Sequence, residues 1–218
     1  MHAYITIKSA LTTILLTAPT ALALHCTAAP YVLLDAKENS TATNAHCVTA
    51  IDSGLTWELK TDDGGVHDKD NTYRWGGTGA EQTGTIFFDD WNRLINATNS
   101  EKYCGFDDWR VPTIDELKTL VNRSELPQQE QQLQIDTTIF SHTLATPYWS
   151  VSTYQNYPEH AQTVDFATGA SNYYNGFRGD RLPVRLVRGT GIKKQEGIKK
   201  QEGIKKQEEI KKQEEIKK

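Results

Sequence analysis

The stretch DDWRVPTIDEL, Asp107–Leu117, decides how the chain is read. It packs four acids, one arginine and a tryptophan into eleven residues, directly after Cys104-Gly105-Phe106. Such a cluster suits a pair of catalytic carboxylates, a metal site or a clasp that holds a fold together. Thr113 is followed three residues later by Glu116, the spacing of a capping box, in which hydroxyl and carboxylate each satisfy an open N–H of a helix start. Ile114, Leu117, Leu120 and Val121 then supply the buried face of a short helix, which Asn122 and Pro127 end. Trp109 and Val111 alternate as strand residues entering a core, which leaves Arg110 to pair with an acid. A structural clasp of Trp109, Arg110, Thr113 and Glu116 therefore outweighs catalysis by Asp107, Asp108, Asp115 and Glu116.

Upstream, Val48–Ile51, the turn Asp52-Ser53-Gly54 and Leu55–Leu59 read as strand, turn and strand. Phe87, Trp91, Leu94 and Ile95 fall at helical spacing, with Asp89 and Asp90 in the expected first turn. Downstream of a Gln-rich loop, QQEQQLQ, strands are expected at Tyr148–Thr153, Thr163–Phe166, Tyr173-Tyr174 and Val184–Val187, separated by turns at Thr168-Gly169 and Arg178-Gly179-Asp180. Two helices set among antiparallel strands make an α+β domain.

The ends differ from this middle. An apolar run over Ala10–Ala18 after Lys8, with Ala21-Leu22-Ala23 offering small residues for cleavage, reads residues 1–23 as a signal peptide. The chain is then exported, to the periplasm, cell envelope or medium. Cys26 follows His25, where a lipoprotein signal wants a small residue; a lipid anchor there is the lesser alternative to a free or removed cysteine. In an oxidising compartment Cys47 and Cys104 are the favoured disulfide, closing a loop for which chain entropy gives roughly 4 kcal/mol. From Ile192 onward ten lysines face six glutamates in a hexad repeat, whereas the remainder has fourteen basic against twenty-two acidic residues, a net −8. Residues 190–218 thus read as a charged tail, disordered or partly helical, because a six-residue period builds no apolar stripe on a helix. An acidic domain does not attract nucleic acid through its overall field. Membrane contact is expected only through a lipidated Cys26 or the basic tail.

Five segments in order carry a resemblance: Ser53–Gly65, Cys104–Leu117, Tyr148–Thr153, Val164–Gly169 and Val184–Arg188. Together they resemble the Lcl C-terminal domain family, named after the C-terminus of the Legionella collagen-like adhesin, over roughly residues 30–189. Ser53 stands where threonine is usual. The resemblance implies a bacterial envelope or secreted domain, a fold similar to C-type lectins, and a role in adhesion, since the family's namesake binds sulfated polysaccharides. The collagen-like stalk of that adhesin is missing here, so trimerisation by that route is not implied.

Three sites follow as candidates. Asp62, Asp63, Asp68 and Asp70 on a Gly-containing loop offer hard oxygen ligands to calcium, against the simpler reading of a solvated acidic turn. The spacing is not that of an EF-hand, and the Glu-Pro-Asn, Gln-Pro-Asp and Trp-Asn-Asp signatures of calcium-binding lectins are absent. Tyr173, Tyr174, Phe177, Arg178 and Arg181 could form a carbohydrate platform, rings stacking on sugars and arginines holding sulfates or carboxylates. The alternative is that alternate members pack into the core. Cys47 and Cys104 could also imitate the thiol pair of formylglycine-generating enzymes, a third reading behind the structural disulfide. No H-E-x-x-H, Gly-x-Ser-x-Gly, P-loop or dinucleotide fingerprint occurs. The expectation is a non-enzymatic binding module without a resident cofactor, taking a glycan. The alternative is an envelope assembly domain that binds a protein of the envelope or host surface.

Overall fold

A computed structural model describes residues 31–35, 37, 39, 45–122 and 133–190. The expected signal peptide over residues 1–23, Cys26, most of the Gln-rich stretch and the hexad repeat lie outside the described residues. The described elements run β1 (Tyr31–Leu34), β2 (Cys47–Ala50), β3 (Thr56–Glu58), α1 (Asn92–Ser100), a 3-10 turn at Tyr103–Gly105, α2 (Ile114–Lys118), β4 (Pro147–Thr153), β5 (Ala161–Asp165), β6 (Ala170–Asn172) and β7 (Val187–Arg188). The domain is α+β and mostly strand.

Two antiparallel sheets result, ordered β1-β2-β3-β7 and β4-β5-β6. The turn between β2 and β3 is closed by the Gly54 N–H donating to Ala50 O at 2.8 Å, with Gly54 at φ +67°. Alternate residues of a strand point to opposite faces, and this period sorts the core. Cys47, Trp149 and Leu186 enter one apolar cluster with Trp75, Trp91 and Trp109, while their neighbours Val48, Tyr148 and Val187 enter another with Trp57, Phe140 and Phe166. Each such large side chain, once buried, contributes about 1.5–3 kcal/mol. Two tryptophans tie the segment before α1 to the second sheet: Trp75 Nε1 donates to Ser150 O at 2.8 Å, and Trp149 Nε1 to Tyr73 O at 2.6 Å. Gly76 lets that segment fold closely on itself before α1, because a Cβ there would sit 2.0 Å from Phe88 O.

Four expectations about elements are corrected. α1 begins at Asn92, after Asp89 and Asp90, because Asp90 is bent back to accept from the Arg74 N–H and guanidinium. α2 ends at Lys118; Leu120 and Val121 follow in tighter turns that donate to Leu117 O and Lys118 O. Tyr173 and Tyr174 are not strand residues, since Asn175 N–H donates to Asn172 Oδ1 and Gly176 N–H to Tyr173 O, turning the chain after β6. The last strand is confined to Val187–Arg188, because the Leu186 N–H donates to the Glu58 carboxylate instead of extending the ladder.

Candidate functional site

Two acids of the opening stretch, Asp108 and Glu116, are taken up by internal partners, whereas the exposed Asp115 meets only Lys118 among the described residues, at 3.6 Å. Arg110 donates to both oxygens of Glu116 at 2.8 and 2.7 Å and to Gly189 O at 2.9 Å. Glu116 also accepts the Thr113 N–H at 2.9 Å, and its own N–H donates to Thr113 Oγ1, completing the capping box. Burial works against the charge on Glu116, but Arg110 and Thr113 outweigh it and hold the carboxyl below its ordinary value. Trp109 is buried, donates from Nε1 to Tyr103 O, and exchanges two backbone hydrogen bonds with the Asn99 side chain. Asp108 receives Arg188 at 2.7 and 3.1 Å. The Arg110 and Arg188 pairs thus hold the end of the last strand to the segment that leads into α2. Cys47 and Cys104 form a disulfide that joins β2 to the 3-10 turn across 57 residues, with no exposed surface on either cysteine.

The acidic loop after β3 also serves itself. Asp68 accepts the N–H groups of Asp63, Gly64 and Asp70 at 2.8, 2.7 and 2.9 Å, which lowers its pKa. Asp63 accepts from the Gly65 N–H and the Thr61 hydroxyl. Lys69 lies between Asp62 and Asp70 at 2.6 and 2.9 Å. The four carboxylates are not gathered round one point: among the described residues no three His, Cys, Asp or Glu side chains converge as a metal needs.

The aromatic and basic platform splits in two. Arg178 is a correction: it is wholly buried, stacks over Trp75 at 4.2 Å, and donates to Thr83 O, Thr83 Oγ1 and Ile86 O. Its stem and guanidinium fill space behind the Trp75 ring, so it presents nothing to a surface ligand. Tyr173 and Tyr174 lie in an exposed ring stack, and Phe177 beside it is exposed too, with an edge-on contact to His160. Arg181 belongs elsewhere, donating to Asp90 at 3.2 Å and to Thr72 O at 2.8 Å.

Arg181 lines a cleft of about 720 Å³, walled by the acidic loop on one side and α1 on the other. Arg74 and Arg181 grip the two oxygens of Asp90, with Arg74 at 2.8 Å, and Arg93 reaches in from the first turn of α1. The Arg74 guanidinium holds the Asp90 carboxyl below its usual range. Arg93 is exposed and makes no hydrogen bond or ion pair among the described residues. Three guanidinium groups therefore share one carboxylate among the cleft's lining residues. Sequence reasoning missed Arg74 and Arg93, and no local pattern announces them, since Asp90 joins partners 16 and 91 residues away.

A buried ionic network underlies the acidic loop. Glu58 accepts from Lys60 Nζ at 2.8 Å, lies 2.8 Å from His67 Nδ1, and accepts the Leu186 N–H at 2.8 Å. The opposite nitrogen of His67 meets Glu101 at 2.6 Å, and its ring stacks on Tyr103 at 3.8 Å. His67 thus fastens the loop that walls the cleft to the interior. Burial disfavours the Glu58 charge, but Lys60 and His67 win, holding the carboxyl at about 2. A signal for this existed: Glu58 and Lys60 sit two apart, the spacing that puts residues of an extended chain on one face.

The fold and these sites define a class, a small disulfide-braced α+β domain in which many charged side chains form internal clasps and three arginines line one cleft. Residues 46–188 match the Lcl C-terminal domain family, and the chain belongs to that family. No curated protein and no solved structure gives a significant match to the chain.

Proposed function

We propose that the protein is an exported, non-enzymatic binding module for surface attachment, which takes the sulfate or carboxylate groups of a glycan in the cleft of Arg74, Arg93 and Arg181. The observation that carries this reading is the surplus of guanidinium charge in that cleft, on a domain whose sequence outside the tail is net acidic. Guanidinium forks match sulfate and carboxylate geometry. Asp90 orients two of them in advance, which lowers the ordering cost of binding. Family membership, through its adhesin namesake, and the leader-like N-terminus support an extracellular or envelope location, and a buried disulfide suits an oxidising one. Among the described residues no helix is long and apolar enough to cross a membrane. A C-type-lectin-like fold is the finer assignment we favour; a sheet that unites the first and last described strands is in keeping with it.

The test is binding of heparin oligosaccharide by the full chain, a chain without residues 192–218, and the Arg93→Ala/Arg181→Ala double variant. The double variant should bind at least about tenfold more weakly, the range expected for losing charge-assisted hydrogen bonds. Wild-type affinity should fall steeply with salt. Salt-sensitive binding that survives both the tail deletion and the double variant sinks the cleft assignment. One stoichiometric envelope protein in pull-downs, with no glycan signal, shifts the function to assembly.

A further inference from the structure

The two stretches Thr153–Pro158 and Ala167–Phe177 contain no Asp, Glu, Lys, Arg or His, in a chain that is 24% charged. They hold four tyrosines and the amides Gln155, Asn156, Asn172 and Asn175. The fold brings the tyrosines together. The rings of Tyr154 and Tyr173 stack at 4.0 Å, those of Tyr157 and Tyr173 at 5.1 Å, and those of Tyr173 and Tyr174 at 4.2 Å, all within 28° of parallel. Tyr174 remains 75% exposed and Tyr157 51% exposed, so the array contributes little to the core.

The platform is built, not incidental to a floppy loop. The β4–β5 register shifts between Trp149 and Thr153, and such irregularities re-aim the side chains that follow them. Gln162 Nε2 donates to Thr153 O at 3.0 Å, and the Ala161 N–H donates to Gly176 O at 2.8 Å, tying both tyrosine-bearing segments to β5. A side chain at Gly176 would place its Cβ 2.0 Å from Ala161 O, so the close approach requires glycine. Beside the rings lies a concavity of about 320 Å³ lined by Thr153, Tyr154, Gln155, Asn156 and Gln162.

We infer that this concavity and the Tyr157 and Tyr174 faces form a second subsite, specific for an uncharged sugar unit. The chemistry matches such a ligand from two sides. Ring faces receive the C–H face of a pyranose, while side-chain amides and a hydroxyl both donate to and accept from its hydroxyl groups. The volume is that of a small-molecule pocket, at the low end of the usual range of roughly 300–1,000 Å³. No residue lining the concavity is cationic, and His160 meets Tyr157 and Tyr173 only edge-on behind the stack. Exposed tyrosines also serve protein interfaces, and it is the amide-lined concavity beside them that favours a sugar. The inference rests on the reading of the domain as a glycan binder, but uses none of the residues of the arginine cleft. Acidic and neutral units of one glycan would then be read at different places on the domain.

The experiment presents the full chain with immobilised chitotetraose, cellotetraose and mannotetraose at low salt and at 1 M NaCl, beside heparin as the acidic probe. At least one neutral probe should bind in both salts. Its affinity should drop at least about tenfold in Tyr174→Ala and in Asn156→Ala, recover in Tyr174→Phe, and hold in Arg93→Ala. Circular dichroism and Tm on each variant secure the fold, which exposed positions should leave intact. Silence on all three neutral probes from folded protein overturns the inference, as does neutral binding that ignores Tyr174 and Asn156. Capture of a protein through Tyr174 with no neutral-sugar signal overturns it too. Heparin binding that persists through Arg93→Ala/Arg181→Ala in a chain without residues 192–218 instead sinks the arginine cleft, so the two failures are distinguishable.

Discussion

Nδ1 of His67 lies 2.8 Å from Oε1 of Glu58, a carboxylate with no exposed surface. The other ring nitrogen meets Glu101, and only the imidazolium donates from both nitrogens. Burial works against that charge, but the hydrogen bonds and charge of Glu58, followed by Glu101, raise the His67 pKa above its ordinary 6.5. A raised folded-state pKa means stabilisation that is complete below the unfolded value and lost as pH climbs through the folded one. Glu58, held at about 2 against an ordinary 4.5, contributes fully above 4.5 and loses its contribution only towards pH 2. Stability should therefore plateau between about pH 4.5 and 6.5 and decline on the alkaline side. His67→Gln should flatten that alkaline decline in Tm scans. A variant that declines like the wild type would falsify the latch.

Lys60 and Glu58 test the same network by substitution. Lys60→Met strands a buried carboxylate, for which the general cost is about 3–5 kcal/mol, and the remaining His67 and Leu186 donors place it near the lower figure. Glu58→Gln/Lys60→Met removes both charges and should cost clearly less than Lys60→Met alone. Urea unfolding of the wild type and the two variants reads this directly; a double variant that costs as much as Lys60→Met alone would contradict it.

The clasp at α2 should behave as a coupled unit. Thr113→Ala removes the hydroxyl cap, at about 1 kcal/mol. Glu116→Ala releases Arg110 and the Thr113 N–H together, and should cost about 2 kcal/mol, tempered because Arg110 is partly exposed. The double variant should fall short of additivity, since each residue's cap depends on the other. Strict additivity in Tm or urea midpoint would mean two independent contacts.

The disulfide closes 57 residues of separation and should contribute about 4 kcal/mol by the chain-entropy account. Reduction, or Cys47→Ala/Cys104→Ala, should lower the urea midpoint and steepen the slope, because the freed unfolded chain exposes more surface. Peptide mapping of the exported protein should recover Cys47 and Cys104 joined, and a free, reactive thiol at either would reopen the oxidase reading.

What was legible in the chain was local. The capping box at Thr113 and Glu116 lies within four residues, so its chemistry is written in adjacent positions. The β2 turn and the alternation that fills two cores are likewise short-range patterns. Expectations failed where a distant side chain took over a backbone group: Glu58 delays the start of β7 by accepting the Leu186 N–H, and Arg74 bends Asp90 away from the start of α1. The ligand surfaces suffered most. Arg178 and Arg181 are near neighbours in the chain but serve Trp75 and Asp90 respectively, and only tertiary packing separates them.

That separation is itself open to test. Arg178→Ala would leave the Thr83 and Ile86 carbonyls without their donor and open space behind Trp75, so a loss of about 3 kcal/mol is expected, the range for breaking a buried hydrogen-bond network. Its glycan binding, measured where the variant is still folded, should match the wild type, because the side chain has no exposed surface. Arg181→Ala should do the reverse. Its guanidinium is 58% exposed and its Asp90 contact is shared with Arg74, so stability should change by less than about 0.5 kcal/mol. Heparin affinity should weaken, with a shallower dependence on salt. Equal effects of the two substitutions on stability would mean that the burial assigned to Arg178 is wrong. Equal effects on binding would restore the single platform that the chain suggests at first reading.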